Sequence, residues 1–292
     1  IHLPGKDKRR LFISILQHGN EEVGLHAIQA LLTKYIARNL PRSLSIFIGN
    51  VAAAQAGVRH LDNQPDYNRV WPGGSPGNTP EHKMMQQIVD TMQRQPLFAS
   101  VDLHNNMGLN PHYACINRLD PVFLQLATLY NRTVVYFTHP KGVQSMAFAE
   151  LCPATTLECG QAGHAAGVSH ATEFLDACLH LSAIPQHPVA SHDIDLFHTV
   201  AIVKVPESAS LSACNDNADI VLIDGLEKLN FCELEKGTLL ATTNAENPQQ
   251  FLVWNAAGDE VSDEYLSIEN GNILLKKIVM PSMLTINEQA IR

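Results

Sequence analysis

Up to about residue 184, short apolar runs of strand length alternate with stretches of helical period, and this alternation constrains the fold most. RLFISILQ (10–17) precedes NEEVGLHAIQALLTKYIARNL, where Ile28, Leu31, Leu32, Tyr35 and Ile36 fall on one helical face. SLSIFIGN (43–50) reads as the next strand and leads into a polar Gly/Pro/Asn-rich loop (57–80). Thr79-Pro80 is an N-cap followed by an N1 proline, and Met84, Met85, Ile88, Val89 and Met92 then point inward. LFASVDLH (97–104) and HYACIN (112–117) follow, then a helix opened by Asp120-Pro121 and the strand TVVYFT (133–138). ATTLE (154–158) and a helix capped near Ser169 close the pattern. Alternating strands and helices of this kind predict an α/β fold with a sheet covered on both faces.

Beyond PQHPVASHD (185–193), a linker in composition, the pattern changes. The runs TVAIVKV, ADIVLI, GTLLATT, QQFLVWN and NILLKKIV are short and separated by turn residues such as Asp-Gly and Glu-Asn-Gly. They predict a small all-β domain over 191–292, after a first domain of 1–190.

Composition excludes several function classes. A net charge of −9 without a Lys/Arg cluster argues against nucleic acid or an anionic membrane as partner. No apolar run approaches the ~20 residues of a membrane helix and no signal peptide is visible, so the expected location is cytoplasmic. The chain does begin without methionine, which leaves a removed leader open. The six cysteines (115, 152, 159, 178, 214 and 232) form no C-x-x-C pair and are expected as free thiols.

Three segments follow strand-like runs, where α/β folds place their sites. Q-H-G-N-E-E supplies His18 and Glu21, an H-x-x-E turn able to aim an imidazole and a carboxylate at one point. V-D-L-H supplies His104, with Asp102 two residues earlier on the same strand face, placed to orient an imidazole. Two histidines and one carboxylate leave a tetrahedral Zn2+ with an open position, as a catalytic site requires. T-L-E-C-G supplies Glu158, a carboxylate able to take a proton from water and pass it to a leaving nitrogen. Arg59 and Arg69 offer guanidiniums suited to a carboxylate or a developing oxyanion, and Asn68, beside Arg69 in D-Y-N-R, adds an amide. Each piece alone is weak, since H-x-x-E arises often by chance and a strand-end histidine is usually structural. Their order along the chain is what carries weight. W-P-G-G-S-P-G-N-T-P (71–80) reads equally as a substrate gate or as a cluster of tight turns.

The ordered set H-x-x-E, R…D-x-N-R, D-L-H and strand-end Glu resembles the succinylglutamate desuccinylase/aspartoacylase family of the zinc carboxypeptidase-like superfamily. The resemblance spans most of residues 10–183 and continues faintly into NFCELEKGTLLA. It implies a carboxypeptidase-like mixed sheet flanked by helices, with a smaller C-terminal β domain. It implies one Zn2+ per chain on His18, Glu21 and His104, with Glu158 as general base. Arg59 would polarise the scissile carbonyl, and Asn68 with Arg69 would grip a substrate carboxylate. The implied reaction is hydrolysis of an N-acyl amino acid, a small-molecule substrate, to a carboxylate and a free amino acid. Two readings compete: a carboxypeptidase-type metallopeptidase and a non-catalytic metal-bound binding protein. A homo-oligomer is left open. This chain also departs from aspartoacylases. SMAFAELCPATT lacks their further arginine about ten residues before the catalytic Glu, and GNILLKKIV lacks their C-terminal tyrosine, with Tyr265 out of register.

Overall fold

The computed structural model describes residues 1–292 except 214–216, 245, 247, 288–290 and 292. The chain divides into two compact units, one of Ile1–Asn105 with His112–His198, the other of Asn106–Pro111 with Thr199–Arg292.

The first unit runs β1 (His2–Leu3), β2 (Gly5–Ile15), α1 (Val23–Lys34), β3 (Leu40–Ile48), α2 (Val51–Ala56), α3 (Pro80–Gln93) and β4 (Leu97–Asn106). It continues through β5 (Tyr113–Ile116), α4 (Pro121–Tyr130), β6 (Thr133–Tyr136), α5 (Gln144–Ala149), β7 (Ala154–Gln161), α6 (Ala165–His180) and β8 (Asp195–His198). Its sheet has the order β1-β3-β2-β4-β7-β5-β6-β8. The β2 strand is parallel to both β3 and β4, whereas β7 runs antiparallel to β5 and β1 antiparallel to β3, so the sheet is mixed, as expected. The β4 strand is buried along almost its whole length, the signature of a central strand covered on both faces. Leu11, Ile13, Ile15, Val101, Leu103, Phe148 and Leu157 lie in one continuous core. Each such side chain contributes about 1.5–3 kcal/mol relative to exposure.

Local signals account for much of this. Thr79 caps α3 by accepting from His82 N–H, and Met85, Val89 and Met92 are buried. Three details differ from the sequence expectation. The α1 helix ends at Lys34, so Ile36 leaves the helical face and is 88% exposed. The last helix of the unit begins at Ala165, before Ser169. Its first turn presses on β7 so closely that a Cβ on Gly167 would lie 2.2 Å from the Cys159 carbonyl oxygen. Asp120 precedes α4 without capping it, because its carboxylate pairs with Arg118 Nε at 2.8 Å.

The second unit holds β9 (Ala201–Lys204), β10 (Leu211–Ser212), β11 (Ile220–Leu222), β12 (Leu239–Thr243), β13 (Leu252–Asn255), α7 (Ser262–Tyr265), β14 (Leu266–Glu269) and β15 (Asn272–Leu275). It is β-rich and has its own core around Ile220, Ala241, Val253 and Ile273. Glu269 pairs with Asn272, so Asn270-Gly271 is a two-residue hairpin turn with both residues at positive φ. The division between the units falls after His198 rather than near residue 190, because β8 pairs with β6 in the large sheet. Cys115, Cys152, Cys159, Cys178 and Cys232 are free thiols, and Cys214 lies outside the described residues. No helix among the described residues is long and apolar enough to cross a membrane.

Candidate metal centre and active site

The first unit gathers three candidate ligands just beyond β2 and near the end of β4. Leu16, the residue after β2, sits at φ 54°, in the left-handed region that side chains avoid at a cost of about 1–3 kcal/mol. The turn that follows, from His18 to Glu21, closes with a Glu21 N–H to His18 carbonyl bond of 3.2 Å. Gly19 is required there, since a Cβ would meet the backbone of Ala53 at 2.2 Å.

His18, Glu21 and His104 are all buried, and one possible ligand atom from each lies within 4.8 Å of the others. Both imidazoles turn Nδ1 toward Glu21: His18 Nδ1 is 2.8 Å from Oε1 and His104 Nδ1 is 2.7 Å from Oε2. Their other nitrogens meet carboxylates, His18 Nε2 against Asp66 Oδ1 at 3.0 Å and His104 Nε2 against Asp102 Oδ2 at 2.8 Å. That arrangement turns the Nδ1 atoms of both rings toward Glu21 and fixes both rings. Burial pushes Glu21 upward, yet the two imidazoles outweigh it and hold the carboxyl well below the usual range. A buried set of two imidazole nitrogens and a carboxylate oxygen with outer carboxylate partners fits a divalent metal of zinc type.

Glu158, on β7, is 5% exposed, and its buried Oε2 has no hydrogen-bond partner among the described residues. Burial, reinforced by Glu21 and Asp102, pushes its carboxyl up to about 8, against the pull of His104 and Arg59. Two carboxylates in one neighbourhood are thus driven in opposite directions, which separates a permanently charged group from one able to carry a proton.

The remaining candidates surround this pair. Arg59 donates from Nη2 to Asp66 Oδ2 at 3.0 Å and places Nη1 3.5 Å from Glu21 Oε1. Asn68 accepts the Gln144 N–H at Oδ1, 3.0 Å away, and sets Nδ2 3.3 Å from His104 Nε2. Arg69 donates to the Asn68 carbonyl at 2.7 Å, and its burial lowers its pKa. The fold therefore brings the seven candidate ligands, acid–base and substrate-gripping residues into one neighbourhood, with Asp102 against His104 as expected.

Two others were not singled out. Asp66 bridges His18, Arg59 and the Asn68 N–H, the last at 2.7 Å; its only sequence signal is its place in D-Y-N-R. Asn105 ties Glu21 Oε2 to its own N–H at 3.3 Å, accepts the Val23 N–H at 3.1 Å and donates to the Gly160 carbonyl at 2.9 Å. It thereby joins the ligand turn, the start of α1 and the end of the Glu158 strand.

The profile of the succinylglutamate desuccinylase/aspartoacylase catalytic domain matches residues 7–183. No curated protein matches the chain in sequence. Among solved structures, succinylglutamate desuccinylase from Chromobacterium violaceum superimposes with a TM-score of 0.59 at 18% identity, covering 94% of this chain and 86% of that one. A succinylglutamate desuccinylase from Vibrio parahaemolyticus gives 0.61 at 16% identity, with coverages of 95% and 87%. Murine aminoacylase 3 gives 0.58 at 14% identity, with coverages of 98% and 93%. At these identities the structural likeness speaks for the fold, while the matched profile covers more than half of the chain. The chain belongs to the succinylglutamate desuccinylase/aspartoacylase family, and this membership makes it an acylase- or desuccinylase-type hydrolase of amide bonds.

Proposed function

We propose that the protein is a zinc-dependent amidohydrolase that cleaves an N-acyl amino acid into a carboxylate and a free amino acid. The observation that carries this reading is the convergence of the His18 and His104 Nδ1 atoms on Glu21, with the buried, unpartnered Glu158 Oε2 in the same neighbourhood. His18, Glu21 and His104 would hold the zinc, which when bound polarises a carbonyl and lowers the pKa of water. Glu158 takes a proton from the attacking water and delivers it to the amide nitrogen as the C–N bond breaks and the new C–O bond forms. Arg59, already oriented by Asp66, offers positive charge to the oxyanion that develops on the scissile carbonyl. Arg69 and Asn68 take the free carboxylate of the amino acid product.

The segment around Met146 and Phe148, where relatives of the aspartoacylase type carry a further arginine, has none in this chain. An acidic arm on the substrate would find no dedicated cation there, so arms that are neutral or apolar are preferred. The test is a panel of N-acyl amino acids and short peptides, assayed with zinc-loaded and chelated protein. Zinc-dependent turnover of the acylated amino acids is expected. Faster turnover of peptides would make it a carboxypeptidase-type enzyme instead. Zinc binding with no hydrolysis of either would make it a binding protein.

A further inference from the structure

Behind His104 lies a buried chain of hydrogen bonds that reaches the 66–71 segment. The Trp71 indole N–H donates to Gln17 Oε1 at 3.0 Å. The Gln17 amide nitrogen lies 3.2 and 3.1 Å from the two oxygens of Asp102. Ser14 Oγ donates to Asp102 Oδ1 at 2.7 Å, and Asp102 Oδ2 holds His104 Nε2 at 2.8 Å. All five side chains are buried, Asp102 and Ser14 completely.

The chemistry leaves one orientation for the Gln17 amide. An indole N–H can only donate and an ionised carboxylate can only accept, so the oxygen must face Trp71 and the nitrogen Asp102. No other side chain of that length offers a donor and an acceptor together. A glutamate would set a second charge against Asp102, and a methionine would leave the Trp71 N–H and Asp102 without this partner. In a buried setting, either loss costs more than the bond itself contributes.

We propose that Gln17 and Trp71 are a positioning pair that clamps Asp102, and through it holds His104 with Nδ1 directed at the metal. The inference rests on the metal-centre reading above. Neither residue touches a candidate ligand or the reacting atoms. Gln17 adjoins His18 in sequence, while Trp71 follows Asn68 and Arg69, so the pair ties the substrate-gripping segment to the ring orientation of a ligand.

The test is zinc affinity, measured by chelator competition on the full chain without substrate, with circular dichroism to confirm folding. Gln17→Met is expected to weaken zinc binding about 10–100-fold, the range for partners that orient a ligand. Trp71→Phe removes the N–H but keeps a ring against Phe47 and Phe148, and is expected to weaken it by about threefold or more. The double variant should bind no more weakly than Gln17→Met alone, because both act through one path. Singles within about twofold of the parent would overturn the proposal and reduce the pair to packing, as would effects that simply multiply. Should Gln17→Met fail to fold, Trp71→Phe decides by the same threshold. A parent that binds zinc yet cleaves no acylated amino acid would remove the acylase reading while leaving this result intact. A parent that binds no zinc would remove both.

Discussion

Strand β2 has a buried ionic cluster at each end, and the two are built on opposite principles. Near its start, Arg42 is almost wholly buried, and each of its three guanidinium nitrogens has a partner. Its guanidinium donates to Asp7 Oδ2 at 2.7 Å, to the Arg9 and Cys178 carbonyls at 3.3 Å each, and to the Leu181 carbonyl. It also lies over the Phe98 ring, 3.5 Å from its centroid. Beyond the other end, Glu21 gathers two imidazoles while Glu158 keeps an oxygen without a partner. A cluster in which each nitrogen of the cation is bonded holds structure together. A cluster whose ring nitrogens converge on one carboxylate, beside a second carboxylate with an unmatched oxygen, is the arrangement the proposed metal and proton transfer would need.

The largest expected effect breaks the open cluster. Glu158→Gln should retain zinc and lose about 10²–10⁴-fold in kcat, because the amide is nearly isosteric but accepts no proton. Zinc content and kcat are measured on the same preparation, and near-parental turnover would remove Glu158 from the role of base.

Breaking the closed cluster should instead cost stability. Arg42→Met removes one of the two arginines that pair with Asp7 and the donor to three carbonyls. A loss of about 2–3 kcal/mol is expected, mainly from the hydrogen bonds to buried carbonyls, because Asp7 is partly exposed and still held by Arg9. Urea unfolding of the zinc-loaded protein checks it, with kcat unchanged; a large fall in kcat with little loss of stability would erase the distinction between the clusters.

Specificity comes next in size. Matched N-acyl amino acids with neutral arms should exceed N-acetylaspartate and N-succinylglutamate in kcat/KM by at least about tenfold, or roughly 1.4 kcal/mol. A side-by-side assay decides, and parity would mean that a cation from elsewhere reaches the acidic arm.

The smallest readout is pH, where the two clusters should differ in sign. Glu158 is raised from 4.5 to about 8 in the metal-free protein, so the folded state holds the extra proton between those values. Its contribution to stability is present below pH 4.5 and declines as pH rises toward 8. Asp7 is lowered from 3.8 to about 2, chiefly by its hydrogen bond to Arg9, so its contribution is present above pH 3.8 and lost as pH falls toward 2. Partial exposure limits the Asp7 effect to under about 1 kcal/mol. In thermal melts without metal, Glu158→Gln should flatten the alkaline decline, and Asp7→Asn should flatten the acidic one more weakly. A Glu158→Gln curve parallel to the parent between pH 5 and 8 would contradict the burial argument.

Much of the fold was legible because short-range sterics write it locally. The Thr79-Pro80 start, the Asn270-Gly271 hairpin turn and the runs that became β9, β11, β12, β13 and β15 each depend on a few neighbouring residues. The candidate site was legible for a related reason. His18 and Glu21 share one turn, Asp102 and His104 share one strand face, and D-Y-N-R is a compact motif. The strand β14, the early start of α6 and the capture of β8 by the large sheet were not legible. Each is settled by a partner elsewhere in the chain rather than by its own residues.

By itself, then, the sequence determined the type of most elements and the identity of the chemical groups, since periodicity and side-chain chemistry are local properties. Tertiary structure alone decided the insertion of β7 between β4 and β5, which brings Glu158 under the influence of Glu21 and His104. It alone brought Trp71 to Gln17 and Gln17 to Asp102, and closed a ring of partners around Arg42. The upward shift of Glu158 is likewise a product of burial, which no stretch of sequence contains. Long-range contacts of this kind form only after the loops between them have closed, and it is the completed packing that removes water and sets the strength of each charge.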